Sequence, residues 1–204
     1  MKRAKSIADK QKRLEQILNV AKKVFIKNRF EGATIREIAT RANLTPAAIY
    51  LYFKSKDELY GTILEQIYQK NNGILLKIAK SPDTIFNRLQ AVLNAYLKII
   101  VTEKEANLLD IKINTLTLST ALRRRLEKLN IEFFDIVISI IQEGIKDGSI
   151  AEDTNAVAIG YSMLSTIDGL CIYEECGDFS FHNLKLEEVM SNYLKILWKG
   201  LFNT

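Results

Sequence analysis

The chain has 204 residues, 48% apolar and 26% charged, an ordinary globular composition that excludes a disordered polyelectrolyte and leaves room for one or two domains with real cores. Two prolines and nine glycines punctuate it so sparsely that the intervening segments exceed typical strands, which points to an all-α fold. The formal charge of +5 is unevenly placed, with 14 Lys/Arg against 6 Asp/Glu in residues 1–60 and 15 against 18 in the rest: a basic module suited to a polyanion joined to a mildly acidic one.

Met1 to Lys10 is charged and no apolar core follows it, so no secretory signal is expected and the protein is placed in the cytoplasm. The first helix is predicted from about Asp9 to Lys27, where Leu14, Ile17, Leu18, Ala21, Val24 and Phe25 recur at three-four spacing and Lys and Arg fill the other face. A second, barely two turns long, starts at Thr34, with Thr34 and Glu37 as a capping box and Ile35, Ile38, Ala39 and Ala42 inward. Asn43 falls in the turn, where Asn tolerates the left-handed conformation of a tight corner. Thr45-Pro46 opens a third short helix ending near Tyr52, proline at the first helical position losing a donor that had no partner. Ser55 and Glu58 make another capping box and open a long fourth helix reaching about Lys80, with Leu59, Ile63, Ile67 and Ile74 on one side.

Further starts are expected at Ser81-Pro82, Glu103, Ser119 and Asp153, and stops at Gly148 and Gly177, giving about nine helices in all. The segment from Asp153 to Glu175 is apolar on nearly every face and must be covered on two sides. Its core, Ala156 to Tyr173, contains Asp168 and lacks flanking Lys/Arg, so a buried helix is expected rather than a membrane span. The last helix, near Asn183 to Phe202, repeats Leu186, Val189, Tyr193, Leu197 and Leu201, with Leu194, Trp198 and Phe202 beside them, a stripe wide enough for both a core and a partner. Cys171 and Cys176, with His182 the single histidine, are too few for a metal site and read as packing residues.

Two short helices around the corner Ala42-Asn43-Leu44 have the dimensions of a helix-turn-helix, whose second helix enters the major groove. Ala39 is small where the helices cross, and Ile49 lies where the second plugs into the first. Any helical hairpin can show this spacing, so the outward residues decide. Thr45, Ala47, Ala48, Tyr50 and Tyr52 are small or hydrogen-bonding, Lys54 and Lys56 follow, and none is acidic. Small residues admit base edges, hydroxyls bond phosphate oxygens, and lysines suit a passing backbone.

The string TIREIATRANLTPAAIYLYFKSKDELY resembles the DNA-binding domain of the TetR family of repressors, and the resemblance runs from about Leu14 to Leu64. It takes in AKKVFIKNRFEGAT, the IREIA second helix, the AAIYLYF third helix and the FKSKDEL entry to the fourth. It implies DNA contacts from Thr34 and Arg36, a groove-facing helix start at Thr45, Pro46, Ala47 and Ala48, and backbone clamps at Tyr50, Tyr52 and Lys56, beside Lys54. Two positions depart from the pattern, Arg29 and Asn43 standing where glycine is frequent, so Asn28 or Arg29 must supply the first corner.

The resemblance further implies a helix-turn-helix domain over residues 9–55, with the motif at about 34–53, and a helical ligand-binding and dimerisation domain over 56–204. The last two helices would pair with their symmetry mates, as the two apolar helices independently suggest. An inducing small molecule, lipophilic if its pocket is apolar, would bind the second domain. Tyr96, Asn114, Phe133, Tyr161 and Asp168 are candidate lining residues, because each places a polar or aromatic group in an apolar stretch. Asp168 could equally bond a neighbouring helix. Arg123, Arg124 and Arg125 read as a solvated helix start.

No phosphate-binding glycine loop, nucleophile elbow or metal cluster stands in the sequence, so neither enzyme activity nor a cofactor is expected. The expected function is a ligand-responsive repressor that binds a palindromic operator as a homodimer. The alternative, a helical protein-protein adaptor, explains the apolar final helices but not the basic first sixty residues.

Overall fold

The computed structural model describes residues 2–102 and 118–202. Among them lie eight α-helices: α1 (Lys2–Gly32), α2 (Ile35–Arg41), α3 (Pro46–Tyr50), α4 (Lys56–Ala79), α5 (Ile85–Thr102), α6 (Thr120–Asp147), α7 (Ala156–Cys176) and α8 (Leu186–Leu201). A 3₁₀ turn at Asp178–His182 precedes the last. The one β contact among the described residues is an isolated antiparallel bridge between Ile150 and Phe202, so the fold is all-α. The start expected at Glu103 lies outside the described residues.

The chain forms two compact units, the first containing the described residues up to Lys70 and again 118–129. Its core joins Ile17, Leu18, Ala21, Val24 and Phe25 of α1 to Ile35, Ile38 and Ala39 of α2 and Ile49 of α3. The core continues beyond residue 55, into Leu59, Tyr60, Ile63, Leu64 and Ile67 of α4 and Leu122 and Leu126 of α6. Phe25, Phe30 and Tyr60 interlock with ring centroids 4.7 to 6.1 Å apart, and burial raises the Tyr60 phenol, with the Glu31 charge adding to it. Gly61 lets α6 approach α4, since a Cβ there would fall 2.0 Å from Leu122 Cδ2.

α1 starts at Lys2 rather than near Asp9. Periodicity misses the turns before Leu14 because residues 7–13 are all exposed and add no buried stripe; Ile7 is 65% exposed. At its other end the helix breaks at Arg29, with φ 56° and ψ −179°, a region costing a side chain on the order of 1–3 kcal/mol. Of the two residues that could supply the first corner, Arg29 does. Arg29→Gly is therefore expected to stabilise the protein by about 1 kcal/mol, relieved strain outweighing the greater entropy of glycine in the unfolded chain. The melting temperature should rise by about 2–4 °C; an unchanged or lower value would show that no strain is stored there.

The second unit holds residues 71–102 and 130–202. Its buried residues include Phe133, Phe134, Ile136, Val137, Ile138, Ile140 and Ile141 of α6, Leu89, Val92 and Leu93 of α5 and Met163, Leu164 and Ile167 of α7. Gly160 of α7 is buried with Ile138 against it, a Cβ there meeting Ile138 Cγ1 at 2.7 Å. Arg88 fastens the corner after α4, donating to the Ala79 carbonyl at 2.5 Å and to Glu143 Oε2 at 2.6 Å, and this hydrogen bond holds the Glu143 carboxyl below its usual range. Phe86, Trp198 and Phe202 form an aromatic clasp with centroids 5.4 to 5.9 Å apart.

Several boundaries move for local reasons. α5 follows a cap at Thr84, whose Oγ1 accepts from Asn87 N–H, so Pro82 lies in the turn before it. α7 begins after Asn155, whose side chain accepts from Ala158 N–H, not at Asp153. Asn183 takes a left-handed conformation that closes the 3₁₀ turn, which delays α8 to Leu186. On α4 the inner side is Ile67, Asn71 and Leu75; Ile74 is 39% exposed and does not belong to it.

α7 is the one helix among the described residues long and apolar enough to cross a membrane. Ala156, Gly160, Met163, Leu164, Ile167 and Cys171 are buried within the chain, whereas Val157, Tyr161, Ile172 and Tyr173 stay exposed. Of the two cysteines only Cys171 is packed; Cys176 is exposed. Burial, together with the nearby Asp168 charge, pushes the Cys171 thiol up to about 11, so it is no nucleophile at neutral pH.

Candidate nucleic-acid interface

The helix-turn-helix is assembled by short local bonds. Thr34 caps α2, its Oγ1 accepting from Glu37 N–H at 3.1 Å. The Glu37 carboxylate does not return to Thr34, as a full capping box would require. It accepts from Asn28 Nδ2 at 2.7 Å and pairs with Arg41 at 2.9 Å, tying α1 to α2. Asn43 takes the corner with φ 53°, and Gln16 Nε2 donates to the Ala42 carbonyl at 2.9 Å, anchoring the turn to α1. Thr45 caps α3 through Ala48 N–H at 3.2 Å, and Pro46 occupies its first turn. Fully buried Ile49 pins α3 to the core.

This leaves one side of the motif open. Thr34, Arg36, Thr45, Pro46, Ala47, Tyr50 and Lys54 are exposed, and Ala48 and Tyr52 half-buried. Tyr52 packs its ring against the core. Each capping threonine uses its oxygen as an acceptor, so the hydroxyl hydrogen is left to donate outward. Glu58, the acid nearest α3 in sequence after Asp57, accepts from Lys54 N–H at 2.5 Å.

Lys56 is held differently from the other nine. Its Nζ donates to the carbonyls of Phe30 at 2.8 Å and Ala33 at 3.1 Å and lies 4.2 Å from the Phe30 ring centroid. It therefore closes the corner that Arg29 opens, rather than reaching outward as a backbone clamp. Lys56→Ala is expected to lower stability by about 1–3 kcal/mol, since two carbonyls and a cation-π contact lose their partner. The slope of log K for DNA against log salt should not change. A slope lowered by one unit with unaltered melting temperature would restore Lys56 to the interface.

Of the five candidate ligand residues, the second unit links four. The Tyr96 hydroxyl donates to Asp168 Oδ1. The Tyr96 ring meets Phe133 at 4.7 Å, Phe133 meets Phe134 at 5.5 Å, and Phe134 stacks on Tyr161 at 4.1 Å. Asn114 lies outside the described residues. Sequence reasoning passed over Asn71, 5% exposed with a buried Oδ1 that has no hydrogen-bond partner among the described residues. Its signal was an amide set between Ile67 and Leu75 on the inner side of α4. It also passed over Leu51, which at 82% exposure is the most exposed large apolar side chain described.

Among the described residues no group of three or more His, Cys, Asp or Glu is placed to hold a metal. Residues 17–63 match the model of "Bacterial regulatory proteins, tetR family". The fatty acid metabolism regulator protein of Bacillus subtilis is 21% identical over 196 residues, 95% of this chain and 99% of that protein. A crystal structure of the regulator FadR from Bacillus subtilis in complex with stearoyl-CoA superposes with a TM-score of 0.73 at 21% identity, covering 91% of this chain and 98% of that one. A TetR/AcrR-family regulator from Thermobifida fusca gives 0.71 at 25% identity, covering 93% and 98%.

Proposed function

Because the chain belongs to the TetR family of bacterial regulatory proteins, we propose that it is a cytoplasmic, ligand-responsive transcription repressor without enzyme activity, which binds a palindromic operator as a homodimer and is released by a small lipophilic inducer. The observation that carries the reading is the open face of the motif: α3, capped and pinned by Ile49, presents small and hydroxyl side chains on a unit rich in Lys and Arg. Thr34, Arg36, Thr45, Pro46, Ala47, Ala48, Tyr50, Tyr52 and Lys54 are its DNA-contacting residues, with Lys56 supporting the corner behind them.

For the inducer, a fatty acyl thioester is the favoured class. A relative of nearly equal length regulates fatty acid metabolism, and a protein of the same fold was crystallised with stearoyl-CoA. The linked aromatic core of the second unit suits an acyl chain, and Tyr96, Asp168 and Asn71 supply the few polar groups such a site needs. The homodimer is proposed through α7 and α8, whose Ile172, Tyr173 and Ile196 are exposed in the single chain.

Selection from a pool of duplexes with a randomised core tests the DNA reading. A two-fold symmetric sequence should be enriched, with half-sites about one helical turn or a multiple apart. Affinity for it should fall steeply with salt, as phosphate contacts release counterions. An adaptor that binds only proteins would enrich nothing.

A further inference from the structure

We propose that Leu51 is a specificity-determining residue that reads the 5-methyl group of a thymine in each half-site; this rests on the DNA-binding reading above. Leu51 follows α3 directly and keeps helical geometry, with φ −71° and ψ −19°, so it continues the helix's angular register. Ile49 is fully buried. At 3.6 residues per turn, positions two before and two after Ile49 each lie about 200° from it. Those positions are Ala47 and Leu51, which therefore point most directly away from the core.

Both are exposed, and neither can form a hydrogen bond with its side chain. The residues most directly aimed at a groove floor thus offer hydrocarbon, flanked by the exposed hydroxyls of Thr45 and Tyr50. In the major groove the one methyl group a base pair presents is that of thymine; apart from the smaller cytosine C5–H, the other edge groups are donors or acceptors. Ala47, on the same line one turn earlier, has only a methyl and lets the backbone come close. Leu51 supplies the reach. An isolated leucine 82% exposed gains by burial against that methyl and would leave a cytosine amine or guanine oxygen unpaired.

The test starts from sites selected with the wild-type protein. At each thymine enriched in both half-sites, uracil is substituted, which removes the methyl and nothing else. At one symmetric pair of positions, wild-type binding should weaken about three- to tenfold. Leu51→Ala, conservative at an exposed position, should bind the thymine and uracil duplexes alike, and selection with it should lose the thymine at that position. Circular dichroism and gel filtration confirm that the variant is folded and unchanged in mass. The inference is overturned if uracil is tolerated at every selected thymine, or if Leu51→Ala remains as sensitive to uracil as the wild type. A changed oligomeric mass would overturn it too, making Leu51 a protein contact. If the wild type enriches no sequence, the DNA-binding reading falls and this inference with it; enrichment without methyl sensitivity removes the inference alone.

Discussion

Replacing Ile196 by aspartate is expected to turn the proposed dimer into a monomer at low micromolar concentration while leaving its helical content intact. Ile196 is 73% exposed on α8, and Ile172 and Tyr173 of α7 are 52% and 55% exposed. Large apolar side chains left open on two neighbouring helices are what a two-fold interface covers. In a symmetric dimer the charge enters twice, and burying an uncompensated charge costs about 3–5 kcal/mol, so the dissociation constant should rise at least about a hundredfold. Ile196 lies outside the apolar stripe read from the sequence, and Leu201, which belongs to that stripe, is 5% exposed within its own chain. An aspartate there should lower the melting temperature of the whole protein instead. Light scattering and thermal melts separate the outcomes, and an Ile196→Asp protein still dimeric at low micromolar concentration would move the interface elsewhere. Operator affinity should fall as dimerisation is lost, since a monomer presents one recognition helix to a two-half-site operator.

What was legible in the sequence was whatever is set by neighbours along the chain. The caps at Thr34 and Thr45, the left-handed Asn43 and the burial of Ile49 follow from residue type and spacing, and the structure shows each. What was not legible depends on partners far along the chain. Lys56 reads as one more surface lysine until α1 ends beside it and offers two carbonyls 23 and 26 residues away. Glu37 looks like half of a capping box, but Asn28 and Arg41 compete for its carboxylate and win. Ile74 fits the period of the inner stripe on α4, yet the helix turns Asn71 and Leu75 inward. The ligand candidates were chosen one at a time, and only folding shows that Tyr96, Phe133, Tyr161 and Asp168 form one connected set.

The second large effect expected is antagonism between stearoyl-CoA, as a probe of the proposed inducer class, and the selected operator duplex. Two helices, α4 and α6, each contribute residues to both compact units, and secondary-structure elements shared by two sites are one route by which coupling between them is carried. A ligand that reorders the residues around Asn71 or Phe133 must therefore act on α4 or α6 themselves, which also carry Leu59, Ile63 and Leu122 of the core behind the recognition helix. Groove spacing of about 34 Å per turn leaves a dimer little tolerance for a change in the separation of its two recognition helices. Saturating ligand should weaken operator binding by about 5- to 150-fold, and saturating operator must weaken ligand binding by the same factor. Tyr96→Phe removes the hydroxyl that donates to Asp168; it should reduce ligand affinity and leave operator affinity without ligand unchanged. Fluorescence anisotropy of labelled operator, and calorimetry of the ligand with and without it, measure both legs of the cycle. If stearoyl-CoA binds and operator affinity does not move, the transmission through α4 and α6 is refuted; if operator affinity rises, the ligand is a co-repressor; and if stearoyl-CoA does not bind, the acyl thioester class is wrong for this protein.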